Sequence, residues 1–449
     1  MKKLFLLSLL ILASCFSVLT AGGLVTNTNH SAAFLRNPAR NATIDLDAVY
    51  YNPAGVAFMN NGFHFGINNQ SAFQKRDITA TIQNNNIVPP ASIDNKKYEG
   101  KITSPIIPSI HFAYVSDRWS VSSHFGIPGG GGELDYANGL PMFDVMVRGL
   151  IFNNVYTALI DNSIPAATAA IKANSAAGAA MVNSSFTGKT FLFGWQIGGT
   201  YKLTDYLSAY AGARLSFAKS EYVGQVSYKV GDTGSLLGLN CEQSGLGIAP
   251  IIGLDYKVDN LNLAVKYEFG SKIEVENNTT NFPAQFNSVP SLTRFKDGVK
   301  TQADQPSLLT VGAAYNVLSK LRVSAGFHYY FDKNTDYNGL EDQINKNTTE
   351  YLLGAEYALS EKLTISAGTQ FTNYDVKDNY NSNTGFIMSS YSIGGGLRYN
   401  VSSSLALDLG VLWTNFEDYS KTSNYSTIEV FEEYERKSIA VGVGAVWSL

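Results

Sequence analysis

The sequence predicts an all-β membrane protein: an antiparallel transmembrane β-barrel of about fourteen strands, with an N-terminal plug in its lumen and a partly helical extracellular loop. Three observations carry this. Apolar residues alternate with polar or small ones over runs of roughly ten, the length of a barrel crossing. The connections alternate between tight turns and long polar segments. Finally, past the N-terminal leader no run approaches the ~20 apolar residues of a membrane helix.

Composition agrees. Only 16% of the 449 residues are charged, with 40 Gly and 26 Tyr, whereas soluble domains carry about a quarter charged residues. The formal net charge of −4 comes with no basic face, so nucleic acid is not an expected partner.

The chain opens with Met1-Lys2-Lys3 and the apolar run Leu4 to Leu12, the n- and h-regions of a signal peptide. Residues 1–21 are therefore expected to be removed after Ala21. Leu12-Ala13-Ser14-Cys15 resembles a lipobox and leaves lipidation at Cys15 as the alternative. Cys15 lies in the leader, so the exported chain is expected to keep one thiol, Cys241, and no intramolecular disulfide.

Residues 22–61 do not read as wall. Asn37-Pro38-Ala39 and Tyr50-Tyr51-Asn52-Pro53-Ala54-Gly55 are bends, because a residue before Pro avoids the helical region. A barrel of this size has an interior wider than its own side chains fill, and this segment is expected to plug it.

The barrel itself is expected over 62–449. Leu261, Leu263, Val265, Tyr267 and Phe269 alternate with Asn262, Ala264, Lys266, Glu268 and Gly270, and Leu321–Tyr330, Leu405–Thr414 and Ile439–Leu449 repeat the pattern. Tight turns fall near 116–118, 204–205, 259–260, 318–320, 360–362 and 402–404. Long polar segments at 276–305, 332–348, 375–385 and 418–432 lie between them. Six short turns make six hairpins, and one strand at each end brings the count to about fourteen, an even number.

The span 128–187 is expected to be a long extracellular insertion. Pro128 and the glycines 129–132 propagate neither helix nor strand well. Met142, Phe143, Val145, Met146, Leu150, Ile151, Val155 and Leu159 approximate a helical stripe, and 163–182 is Ala-rich. The stripe is either a lid packed on a second helix or an apolar entrance groove.

With the leader, the Tyr51-Asn52-Pro53-Ala54-Gly55 motif ahead of the first strand, the strand count and the length in hand, the chain resembles the FadL/TodX family of outer-membrane transporters for long-chain fatty acids and aromatic hydrocarbons. The resemblance implies a fourteen-stranded barrel with an N-terminal hatch, and passive, hatch-gated uptake of small hydrophobic molecules. It implies that Asn52, Pro53, Ala54 and Gly55 belong to the hatch, and that the stripe Met142, Phe143, Met146, Leu150 and Ile151 meets ligand. The outer membrane, its lipid, the barrel assembly machinery during biogenesis and a monomeric state are the expected setting. A general porin and a haem-binding receptor are the alternatives. No cofactor is expected, and no Ser–His pair or phosphate loop suggests an enzyme.

Inward-facing charges supply further candidates. Arg214, Arg322 and Arg398 alternate with Glu268, Glu356 and Asp408, either as a salt-bridge lattice or with Arg322 or Arg398 holding a ligand carboxylate. His64, His111 and His124 face the lumen. His111 and His124 lie across one turn and are candidates for a metal or ligand site, the plainer reading being ordinary lumenal hydrogen bonding. Gly126, Pro128 and the following glycines mark the end of the third strand as the place where the wall would open.

Overall fold

The computed structural model describes residues 28–83, 85–230, 233–283, 293–425 and 428–449; the leader and its two cleavage readings lie outside them. A single closed antiparallel barrel of 14 strands accounts for most of the chain. The strands are β1 Gly62–Ile82, β2 Lys101–Val115, β3 Trp119–Tyr136, β4 Met181–Lys202, β5 Leu207–Val230, β6 Thr233–Val258 and β7 Leu261–Glu268. They continue with β8 Leu308–Leu318, β9 Leu321–Tyr330, β10 Ile344–Ala358, β11 Leu363–Val376, β12 Ser390–Asn400, β13 Leu405–Phe416 and β14 Ile428–Ser448. Closure is made by β14 on β1, in register from His64↔Ser448 to Ile82↔Val430.

The burial pattern is that of a soluble protein turned inside out. On β7, Leu263 and Val265 are exposed, while Asn262, Lys266 and Glu268 between them are buried. The same parity runs through β13, where Leu407, Leu409, Val411 and Trp413 face outward and Asp408 is buried. An apolar exterior is stable only against hydrocarbon, and β14 on β1 closes the sheet on itself. Among the described residues no helix is long and apolar enough to cross a membrane.

All six expected tight turns are present, and hydroxyl groups close three of them. The Oγ of Ser360 accepts from the N–H of Lys362 and Leu363 at 3.3 and 3.2 Å. Ser402 does the same for Ser404 and Leu405, and Thr204 for Tyr206 and Leu207. Exposed Trp119, Tyr201, Tyr206, Tyr256, Tyr315, Tyr357 and Tyr399 ring this end of the barrel, as an aromatic girdle at a membrane interface does.

The opposite end is taller. β4, β5 and β6 run for 22, 24 and 26 residues, well beyond the length of a crossing. Two expectations change here. The polar segment 418–432 is largely a ladder rather than a loop: Tyr419–Tyr425 pairs with β14 from Tyr419↔Tyr434 to Tyr425↔Ile428. The insertion is also shorter than 128–187, because β3 continues through the glycines to Tyr136 and β4 begins at Met181. Register shifts between Gly126 and Gly129 and between Gly130 and Gly132 absorb the run as bulges, with Gly130 at φ +69° and Gly131 at φ +103°. Helices α3 Pro141–Asp161 and α4 Ala166–Ala179 fill the remainder; their numbering follows two short N-terminal helices, α1 Ala32–Arg36 and α2 Ala48–Tyr51.

Candidate functional site

The segment 28–61 lies folded inside the barrel, and its buried arginines tie it to the wall. Arg36, at the end of α1, reaches Glu356 on β10 at 2.5 Å and Asp408 on β13 at 3.1 Å. Arg40 is held within the segment by Asp47, through Nε at 2.9 Å and Nη2 at 2.8 Å, and by Asp45 at 2.7 Å. Burial alone would push the Asp47 carboxyl up; Arg40 outweighs that and holds it below the usual carboxylate range.

The Asn-Pro-Ala-Gly bend makes the second anchor. Asn52 donates to the Thr43 carbonyl at 3.0 Å and to Asp255 on β6 at 2.5 Å, and its Oδ1 accepts from the Gly55 N–H. The Pro53 carbonyl accepts from Thr200 at 2.8 Å and the Ala54 carbonyl from Ser208 at 2.7 Å. A turn that spends its side chain on its own backbone leaves its carbonyls for the wall.

Glycine makes room for this segment. Gly312, Gly326, Gly354, Gly368, Gly394, Gly396, Gly410 and Gly442 all abut it, and a Cβ on any of them would collide with residues 32–41, whereas one on Gly444 would collide with Asn68 of β1. Gly312↔Gly326, Gly354↔Gly368, Gly368↔Gly394, Gly396↔Gly410 and Gly410↔Gly442 are cross-strand partners. The wall therefore carries a belt without side chains, against which backbone packs directly.

At the tall end α3 dips into the mouth. Its Met142, Phe143, Val145, Met146 and Ile151 are buried among Tyr98, Tyr136, Phe186, Phe386, Ile428 and Tyr434, with Leu150 packed partly against them. Asp144 fixes the helix by accepting from the Tyr98 hydroxyl at 2.7 Å and Lys96 Nζ at 2.5 Å. Arg148 caps α4 through the carbonyls of Ala177 and Gly178. The backbone N–H of Met142 donates to Asn383 Oδ1 at 2.9 Å.

Between plug and lid lies a cavity of about 330 Å³, within the size range of small-molecule sites. Thr28, Asn29 and Phe34 form its floor, and Thr384, Gly385, Phe386 and Ile387 its roof. Gln70, Gln74, Ser104, Gln370, Thr372, Ser392 and Thr414 line its sides beside Ile102, Ile107, Leu412 and Ala440, together with Arg76, Arg436 and Glu350.

The cavity meets a break in the wall. Pairing of β2 with β3 stops at Ile110↔Phe125 and resumes only at Thr103↔Glu133. The unpaired stretch of β2 holds Pro105 and Pro108 and that of β3 holds Pro128, which have no N–H to give a ladder. Ser104, Ile107 and the glycines 130–132 border both the break and the cavity. The wall is thus interrupted where Gly126 and Pro128 suggested.

The other expected site residues are distributed as follows. Met142, Phe143, Met146, Leu150 and Ile151 sit in the lid, one layer above the cavity lining; Phe143 meets the lining residue Phe186 at a ring separation of 6.4 Å. Arg398 binds Asp408 at 3.1 Å and Asp45 at 3.4 Å, and Arg322 donates to the Ala42 carbonyl at 3.1 Å. Arg214 pairs with Glu268 at 2.5 Å. The lattice is real, but Glu356 belongs to Arg36 of the plug rather than to Arg322. His64 stands apart, bonded to Ser448 and the Asn60 carbonyl. His111 and His124 are directly paired across strands with rings 4.7 Å apart, and His30 of the plug packs 5.0 Å from His124. Among the described residues no group of three His, Cys, Asp or Glu is arranged to hold a metal ion.

No model of a known protein family matches the chain, and no curated protein matches it. Solved structures do. A Pseudomonas aeruginosa FadL homologue superposes with a TM-score of 0.62 at 11% identity, over 95% of this chain and 100% of that one. The Pseudomonas putida toluene transporter TodX gives 0.56 at 12% over 95% and 100%, and the Ralstonia pickettii toluene transporter TbuX gives 0.53 at 14% over 92% and 98%. The chain has the FadL-type fold. At such identities the likeness lies in the architecture, and what passes through must be argued from the residues of this lumen.

Proposed function

We propose that the chain carries small hydrophobic or amphipathic molecules, of the long-chain fatty acid or aromatic kind, passively across the bacterial outer membrane. The cavity carries this reading: one space is bounded by the plug, by the loop under the lid, and by both edges of the broken wall. The apolar face of α3, including Met142, Phe143, Met146, Leu150 and Ile151, serves as the entrance. The cavity then holds the cargo, and the β2–β3 break releases it sideways, so the plug need not leave the lumen. Arg322 and Arg398 are spent on the hatch, and cargo reaches them only after the hatch moves.

The test is a removable lock across the break. Ser104 and Gly132 face each other there, so a Ser104→Cys, Gly132→Cys pair is placed to form a disulfide. In cells lacking their own channel, uptake of labelled oleate and toluene is measured with the pair oxidised and then reduced. Loss on oxidation with recovery on reduction supports sideways exit. Unchanged uptake through fully oxidised protein overturns that route, and wild-type uptake no better than empty cells overturns the transport reading.

A further inference from the structure

Five adjacent strands present neutral hydrogen-bonding side chains to the cavity at one level. Gln74 on β1, Ser438 on β14, Thr414 on β13, Ser392 on β12 and Gln370 on β11 all line it. Each is the direct cross-strand partner of the next: Gln74↔Ser438, Ser438↔Thr414, Thr414↔Ser392 and Ser392↔Gln370. Paired strands lie about 4.8 Å apart, so the arc covers roughly 19 Å of wall. It is bounded on both sides, because the next partners in the row are the apolar Ile102 on β2 and Leu352 on β10. A polar lumen is ordinary in an outer-membrane barrel, but this row is also free of charge. At the level of the plug, by contrast, Arg398 is the partner of Asp408, and Arg36 joins Glu356.

The arc does not spend its hydrogen bonds on itself. Ser392 and Thr414 share a single bond at 2.8 Å, which leaves one of their two hydroxyl protons free. Gln370 Nε2 donates to Glu350 at 2.6 Å and to Thr372 at 3.2 Å, so its orientation is fixed. Gln74 is fixed from the other end. Its Oε1 accepts from Nε and Nη2 of Arg436, the cross-strand partner of Arg76 one step higher, at 3.2 and 3.0 Å. Among the described residues Gln74 Nε2, Gln370 Oε1 and Ser438 Oγ have no partner and open on the cavity. The free set therefore mixes donors with acceptors. A hydroxyl group is both at once, whereas a carboxylate only accepts. Two residues down each strand, about 7 Å nearer the plug, the lining turns apolar. Ala72, Ala440 and Leu412 are partners there, with Phe34 of the plug below them.

We propose that the arc is a hydroxyl-recognition subsite, and that the cargo is an amphiphile with a sugar or other polyol as its head and an apolar part lying on the layer below. This rests on the transport reading and narrows its substrate class. A bare hydrocarbon would strip water from the arc and return no partner to it. A free sugar would satisfy the arc but leave Ala72, Ala440, Leu412 and Phe34 facing water. A glycoside or polyol ester matches both layers in the order in which the strands present them. The two glutamines, each held at one end by a neighbour, are set in place before the cargo arrives, which lowers the cost of binding it.

The experiment is calorimetric titration of the purified full-length protein in lipid nanodiscs, blanked against empty nanodiscs, with hexyl β-D-glucoside, 1-hexanol and glucose. The first two share a chain and differ in the sugar. Wild type should bind the glucoside at least about tenfold more tightly than hexanol, the worth of two or three net hydrogen bonds, and glucose most weakly. Ser438→Ala combined with Thr414→Val should bring the glucoside to within about threefold of hexanol. Hexanol binding should persist in that variant, and an unchanged heat-modifiable band on gels shows that it is folded. Equal affinity of wild type for glucoside and hexanol, or a preference kept by the double variant, overturns the subsite and leaves transport standing. So does loss of hexanol together with the glucoside from the folded variant, since the arc would then shape the cavity rather than read hydroxyls. Glucose bound as tightly as the glucoside overturns the amphiphile in favour of a sugar channel. Binding of no probe overturns the subsite, and transport falls with it only if uptake of oleate and toluene is also absent.

Discussion

Arg40 and Asp47 face each other seven residues apart inside the lumen and share two hydrogen bonds, Nε to Oδ2 at 2.9 Å and Nη2 to Oδ1 at 2.8 Å. Each is buried, so each makes the other affordable. Removing one member of a buried pair costs about 3–5 kcal/mol because the remaining charge is stranded. Arg40→Gln should therefore loosen the plug while leaving the strand ladder intact, and single-channel recordings in planar bilayers should show frequent openings absent from wild type. The pH dependence has a definite sign. The Asp47 carboxyl is held below its ordinary value, so its contribution is complete above the unfolded carboxylate pKa of about 4 and is lost as pH falls through the lower folded value. Openings should stay rare from neutral pH down to about 4 and increase only below it. A rise in openings between pH 7 and 5 would contradict this.

The glycine belt makes a sharper structural prediction. A Cβ at Gly410 would stand 2.5 Å from the Ala32 carbonyl oxygen and 2.8 Å from Leu35 Cβ, whereas one at Gly395 would meet only the Ser366 carbonyl, at 3.8 Å. Backbone cannot step aside as a flexible side chain does. Gly410→Ala should displace α1 and raise ion conductance; Gly395→Ala should behave as wild type. Equal conductance in the two variants would show that the plug tolerates the added methyl.

These two cases show what sequence could and could not supply. Strand positions and tight turns were legible because alternation has a period of two and the turns carry Ser, Thr and Asp at fixed offsets. The belt was only half legible. Small residues at inward positions were evident, but their common level depends on register across seven strands, β8 to β14, which no single strand encodes. Arg36 and Arg40 were missed because they sit in an irregular segment with no periodicity to place them. Arg76 and Arg436 carry the inward parity of β1 and β14, and that signal was present. What was hidden is their adjacency, because they are 360 positions apart in the chain and meet only through barrel closure.

The lid should be held by one carboxylate. Asp144 is buried and accepts from Tyr98 and Lys96; Asp144→Ala would leave the Tyr98 hydroxyl without its acceptor and remove the charge partner of Lys96. Hydrogen exchange over 137–180 should quicken in this variant, and limited proteolysis should cut there, while amides of β1 and β14 keep their protection. Uniform loss of protection would mean that Asp144 stabilises the barrel as a whole.

The wall break depends on residues that cannot donate. With Pro105 and Pro108 replaced together by Thr, β2 regains two backbone N–H groups, and threonine suits a strand. Pairing with β3 should then extend into 104–109, visible as slowed amide exchange in a stretch that exchanges fast in wild type. If cargo leaves through this break, uptake should fall several-fold in the same variant while binding to the purified protein is unchanged, since the cavity and its arginines are untouched. Slowed exchange with undiminished uptake would place the exit elsewhere, and the remaining way out of the cavity is then past Thr28, Asn29 and Phe34, through a plug that has to move.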